Sequence, residues 1–261
     1  MGAIDWAAFK VRRATNGNHV GYWLYTRFLL RQGKKHYSRI RNARAGIHSF
    51  VIDGYPRSGN TFLASMASRM FERNDFLHHM HSSLGVRYSI HHGKNIYLLF
   101  RAPEECCASR LLLGAHKHPQ KMTVPISRSL YKWEKTLMLL YLREYIQYYA
   151  FALRYQYSVK LIHSQTAFES SHELLKRIAL ENEISTMDLS EARHEEVVQE
   201  YFKSKKAKAS AGSLAASIPT NSKQRSKRRI LSVVEGNPLL ERARLIYEDM
   251  KRISWPANMR A

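Results

Sequence analysis

The chain has 261 residues, enough for one or two domains, and 44% of them are hydrophobic, so a buried core is within reach and disorder along the whole length is excluded. Its 42 Lys and Arg against 21 Asp and Glu leave a net charge of +21, which points to an anionic partner: nucleic acid, nucleotide, acidic glycan or membrane surface. The two cysteines, adjacent at Cys106 and Cys107, exclude a disulfide scaffold, fit a reducing compartment and read as buried helix residues.

Residues 1–47 form a basic, aromatic arm in which 20–32 is predicted to be an amphipathic helix. Such a helix docks onto the body of the protein, or meets a membrane surface or polyanion. No secretory signal is expected here, because a continuous apolar run and a small-residue cleavage site are missing. The most apolar stretch, 136–155, is interrupted by Arg143, Glu144 and Arg154, whereas a membrane span needs about 18 uncharged residues. The expectation is a cytoplasmic chain, open to peripheral membrane contact.

The body spans 48–261. SFVID, 49–53, is a short apolar run of strand formers, followed by the Gly- and Pro-punctuated loop GYPRSGNT. Next, Phe62, Leu63, Met66, Ala67, Met70 and Phe71 recur at helical spacing. A second strand is predicted at 96–100 (IYLLF), running into Arg101 and the helix-prone EECCASRLLLGA. A long helical pattern fills 126–155, a third strand is predicted at 159–162 (VKLI), and a helix over 172–180 follows. The stretch 203–229 holds nine Lys and Arg and no acid, and reads as a flexible basic loop. Helical spacing returns at Leu239, Ala243, Ile246, Tyr247 and Met250. Strands alternating with helices predict an α/β fold, a parallel β-sheet flanked by helices on both faces.

GYPRSGNT has the spacing of a Walker A loop, G-x-x-x-x-G-K-[ST], with Asn60 where the lysine belongs. Losing that lysine disfavours an ordinary kinase or ATPase. Anion binding survives: Gly54 and Gly59 allow tight turns, the following helix aims amides at a phosphate, Thr61 offers a hydroxyl, and Arg57 can grip oxygens with its fork.

YPRSGNTFL resembles the 5′-phosphosulfate loop of the sulfotransferases, whose donor is 3′-phosphoadenosine 5′-phosphosulfate (PAPS). A second element agrees. After IYLLF comes RAPEECCAS, with Arg101 and Ser109 at the spacing of that family's 3′-phosphate motif and Pro103 in its R-x-P opening. The resemblance covers 49–180. It implies a P-loop-like sulfotransferase fold, with the donor held by Arg57, Ser58, Gly59, Asn60, Thr61, Phe62, Arg101 and Ser109 and no metal in the reaction. In FLHHMHSS it places His81 at the position of a catalytic histidine and His79 at that of a lysine, with Arg57 meeting the leaving-group charge. The implied activity is sulfuryl transfer to an acceptor hydroxyl or amine.

The chain also departs from the family. His163, Ser164 and Gln165 stand where a tyrosine near the adenine is usual, and the closing R-K-G loop has no clean counterpart, though Lys223, Arg225, Lys227, Arg228 and Arg229 lie in that part of the chain. Two other readings stay open: a P-loop kinase, which would need a loop lysine and an acidic metal ligand, and a catalytically degenerate basic protein that binds nucleic acid or acidic membrane. A metal site among His78, His79, His81, His91 and His92 lacks acidic ligands and a recognised spacing. Tyr131, Trp133, Tyr141 and Tyr145 line an acceptor pocket or fill the core. The acceptor class is open, with an acidic glycan suited to the charge.

Overall fold

The three apolar runs become buried strands of one sheet, and a short fourth strand joins them. The computed structural model describes residues 35–72, 75–116, 128–185, 188–210 and 221–255, so the helix expected over 20–32 lies outside the described residues. Strands β1 (Phe50–Gly54), β2 (Leu77–His78), β3 (Asn95–Phe100) and β4 (Lys160–His163) lie in the order β2-β1-β3-β4, with every pair parallel. Parallel strands need long crossovers, and these are helical. The helices are α1 (Lys35–Ala45), α2 (Asn60–Met70), α3 (Ser83–His91), α4 (Pro103–His116), α5 (Arg128–Arg154), α6 (Ser164–Glu169), α7 (Ser171–Glu181), α8 (Glu191–Ser210), α9 (Asn221–Ser232) and α10 (Pro238–Arg252).

The strand pleat sorts the core into two faces. In β3, Ile96, Leu98 and Phe100 face one cluster while Tyr97 and Leu99 face the other; in β1, Val51 joins the first and Phe50 and Ile52 the second. The first face is covered by α1, α3, α4, α5, α9 and α10, the second by α2, α6, α7 and α8. Both faces are apolar, which is why the strands read as unbroken hydrophobic runs. Cys106 and Cys107 are free thiols buried on α4, as the sequence suggested, and burial pushes the Cys106 thiol up to about 12.

Local chemistry fixes the helix starts. Pro103 opens α4, where a missing N–H costs nothing, and Glu104 and Glu105 complement the positive end of its dipole. Asn237 caps α10 by accepting from Leu239 N, with Pro238 as its first residue.

Two expectations on organisation change. Residues 35–45, read as part of the arm, form a helix whose Ile40 and Ala43 enter the core of the body. The stretch 203–229, read as a loop, is helical at both ends: α8 continues to Ser210, and α9 begins at Asn221. Buried anchors outside the basic run, Val197 on α8 and Ile230 on α9, hold these helices down. Among the described residues, no helix is long and apolar enough to cross a membrane.

Candidate active site

From β1 the chain steps to β2 on one side, while β3 continues to β4 on the other. The crevice at the carboxyl ends of β1 and β3 is therefore the switch point where open α/β sheets take ligands. Gly54 ends β1 directly opposite Leu99. A Cβ on Gly54 would lie 2.3 Å from Leu99 O and 2.4 Å from Ser58 Oγ, so only glycine fits. Ser58 N donates to Tyr55 O at 3.1 Å, closing the turn. Gly59, in the left-handed region at φ 97°, starts α2 with no side-chain cap, leaving the first amides of the helix to an anion.

Three tyrosines of α5 fasten this edge. Tyr149 accepts from Tyr55 N (3.1 Å) and donates to Leu99 O (2.6 Å), Tyr145 donates to Arg101 O (2.8 Å), and Tyr148 donates to Asp53 Oδ2 (3.3 Å). Tyr145 is thereby a core residue, while half-buried Tyr141 lies under the guanidinium of Arg110 at 4.3 Å. The side chains of Tyr131 and Trp133 lie outside the described residues.

The two motifs meet in space. Arg57 Nε donates to Ser109 Oγ at 2.9 Å, and the pKa of Arg57 is lowered first by burial and then by the charge of Arg101. Arg101 itself binds Glu105 at 3.0 Å, and Lys227 on α9 reaches the same carboxylate. Lys227 thus brings one cation of the basic segment beside Arg101; the side chain of Lys223 lies outside the described residues. Arg229 is instead a strut, bound through two nitrogens to the buried Glu134 of α5. Glu104 pairs with Arg244 of α10.

The histidine segment lies across the loop. His79 and His81 take left-handed backbone at φ 57° and 50°, and Arg57 does so at 76°. Such a conformation costs a non-glycine residue about 1–3 kcal/mol and persists where the surroundings impose it. Thr61 Oγ1 lies 3.2 Å from His79 Nε2, and the His79 and His81 rings stack at 5.5 Å. His81 Nδ1 lies 2.7 Å from Gly54 O; a carbonyl only accepts, so Nδ1 carries the proton and Nε2 the lone pair. His81 N donates to Asp53 Oδ2 at 2.8 Å. His78 sits on β2 beside Phe76, and His92 bonds Arg44 O at the far end of α3 from the loop. Among the described residues, no group of three His, Cys, Asp or Glu is placed to hold a metal ion.

Other predicted residues have narrower parts. Ser58 is buried, and the Asn60 side chain turns inward towards Asp53 at 3.5 Å, leaving its backbone amide for a ligand. Phe62 packs against Phe168 (4.5 Å) and Tyr201 (5.2 Å) in an aromatic wall whose exposed members are Phe168 and Phe202. His163 Nε2 lies 2.9 Å from the Tyr247 hydroxyl, Ser164 packs beside Gly59, and the Gln165 amide turns to Glu169, so none of the three supplies a tyrosine-like contact. The sequence reading missed Asp53, Tyr148 and the reach of Lys227 to Glu105. Asp53 carried a signal all the same, as the one charge in an otherwise apolar strand.

The arrangement suits an anion. Arg101 and Lys227 share the single carboxylate of Glu105, Arg57 is held near Arg101 by Ser109, and an uncapped helix start lies at the same loop; cations and free amides both call for negative charge. Comparison with protein-family models, with curated proteins and with solved structures finds no match.

Proposed function

We propose that the chain is a sulfotransferase that binds PAPS at this crevice and sulfates an acceptor hydroxyl or amine. The observation that carries the reading is the Arg57–Ser109 contact, which joins the loop expected to hold the 5′-phosphosulfate to the motif expected to hold the 3′-phosphate. Arg57, the amides of Gly59 to Thr61 and the Thr61 hydroxyl would hold the 5′ end, and Arg101, Ser109 and Lys227 the 3′-phosphate. The aromatic wall of Phe168 and Phe202 offers a flat apolar face for a purine.

Bound there, PAPS supplies a sulfuryl group whose transfer leaves an electron pair on the 5′-phosphate. His81 Nε2 takes the acceptor proton, and the bond from Nδ1 to Gly54 O keeps the imidazole in the tautomer that can do so. The guanidinium of Arg57, little hydrated, offsets the charge that grows on the phosphate oxygen.

The test is thermal melting with adenosine 3′,5′-bisphosphate in the absence of Mg²⁺, followed by an acceptor screen with radiolabelled PAPS. A ligand at a hundred times its Kd stabilises the native state by about 2.7 kcal/mol, so the melting temperature rises. A shift with Mg·ATP and none with the bisphosphate would transfer the case to a kinase. Steeply salt-dependent binding of polyanions with neither shift would leave a basic binding protein.

A further inference from the structure

Asp53 is an ionisable residue next to the end of a buried strand, fully shielded from solvent, and it receives a donor from each of three surrounding segments. From the histidine segment, His81 N donates to Oδ2 at 2.8 Å; from α5, the Tyr148 hydroxyl donates to the same oxygen at 3.3 Å; from α2, Asn60 Nδ2 lies 3.5 Å from Oδ1. The His81 ring is also close, with Nδ1 3.6 Å from Oδ1. Arg39 on α1 feels the Asp53 charge, as does the Tyr149 hydroxyl on α5. A structural carboxylate needs donors, but it has no need of an imidazole edge-on to it. The donor that binds best here is the amide of a residue held at φ 50°, a backbone state histidine seldom adopts unaided.

We infer that Asp53 is the positioning residue of the base: it pins the backbone of His81 in the left-handed conformation and, steadied by Tyr148, faces the protonated edge of the imidazole with a carboxylate. The inference rests on the reading of His81 as the base. It adds a two-part device in which one oxygen, Oδ2, sets where the ring stands and the other, Oδ1, favours the ring when it holds the transferred proton. Burial pushes Asp53 itself up to about 7, against the pull of its hydrogen bonds.

The experiment is an NMR titration of histidine-labelled full-length protein, the His81 resonance being assigned by its absence from His81→Gln. Asp53→Asn keeps the shape and removes the charge, and is expected to lower the His81 titration midpoint by about one pH unit or more. Tyr148→Phe removes only the hydroxyl that steadies the carboxylate, and is expected to lower the midpoint by a few tenths of a pH unit. It decides the matter alone if Asp53→Asn does not fold. A midpoint that stays put in folded variants would make Asp53 a structural carboxylate and overturn the inference. Bisphosphate-induced melting of the unaltered protein is recorded alongside: its failure would remove the sulfotransferase reading, while the His81 titration would still decide the coupling to Asp53.

Discussion

Arg57 and Ser109, 52 residues apart in sequence, are joined by a single 2.9 Å hydrogen bond from Nε to Oγ. That bond ties the loop after β1 to the second turn of the helix after β3 and uses only Nε of the guanidinium fork. The guanidinium of Arg101, beside it, binds Glu105 four residues on. If Arg101 serves the 3′-phosphate, Arg101→Ala loses a charge-assisted hydrogen bond worth roughly 1.5–3 kcal/mol. Affinity for PAPS should fall about tenfold or more, while that for adenosine 5′-phosphosulfate should hardly change. Calorimetric titration with both nucleotides checks this, and equal losses would assign Arg101 to structure alone.

Glu105 carries the opposite prediction. Its carboxylate balances Arg101 and Lys227 and must compete with any phosphate that approaches them. Partly exposed ion pairs of this kind contribute about 0–1 kcal/mol, so Glu105→Gln should tighten bisphosphate binding by about two- to fivefold. Binding weakened tenfold would mean that Glu105 holds the cations in place for the ligand rather than standing in for it.

These relationships mark what could be read in advance. Strands β1, β3 and β4 were legible because burial on both faces of a parallel sheet demands continuous apolar runs. β2 was not, since it is two residues long and one of them is His78. Charge without acid over 203–229 suggested a loop, yet Lys and Arg are good helix formers, and the apolar residues that seat α8 and α9 lie outside the run. The Arg101–Glu105 pair follows from its four-residue spacing. Lys227 reaches that pair across 122 positions, and Asp53 reaches His81 across 28, so only the folded chain reveals them.

The role proposed for His81 has a kinetic signature. General-base catalysis is typically worth about 10²–10⁴-fold, so His81→Ala should lower kcat by that factor while leaving bisphosphate affinity nearly unchanged. His79→Ala removes a ring stacked on His81 and its contact with Thr61, and should cost much less. Single-turnover assays with PAPS separate the two, and near-normal turnover by the His81 variant would exclude it from the mechanism.

Gly54 tests whether the loop is held as tightly as its contacts require. Its missing Cβ would collide with a backbone carbonyl, which cannot rotate away as a side chain can. Overpacking of this kind costs about 1–3 kcal/mol, and a chain of this size loses roughly 2–4 °C of Tm per kcal/mol. Gly54→Ala should therefore melt about 2–12 °C lower and lose the bisphosphate response. A variant that melts normally and still binds would show that the loop can spread without harm.

Stability against pH should show two buried groups pulling in opposite directions. The His48 ring, buried with Nε2 3.0 Å from Ser89 Oγ, is pushed down to about 4 from 6.5, chiefly by loss of solvent and then by Lys94. Between those values the unfolded chain takes up a proton that the native chain refuses, so the His48 contribution is complete above 6.5 and is lost as pH falls towards 4, by up to about 3 kcal/mol. Asp53 is raised from 3.8 to about 7, so the native chain keeps a proton the unfolded chain has released; its contribution is complete below 3.8 and is lost as pH rises towards 7. In the shared window from about 4 to 6.5 the slopes oppose each other. His48→Gln should make stability fall with rising pH across that window, and Asp53→Asn should make it rise. Urea unfolding at three pH values within the window reads both slopes, and variants whose slopes match that of the unaltered protein would show that neither group titrates where its surroundings require.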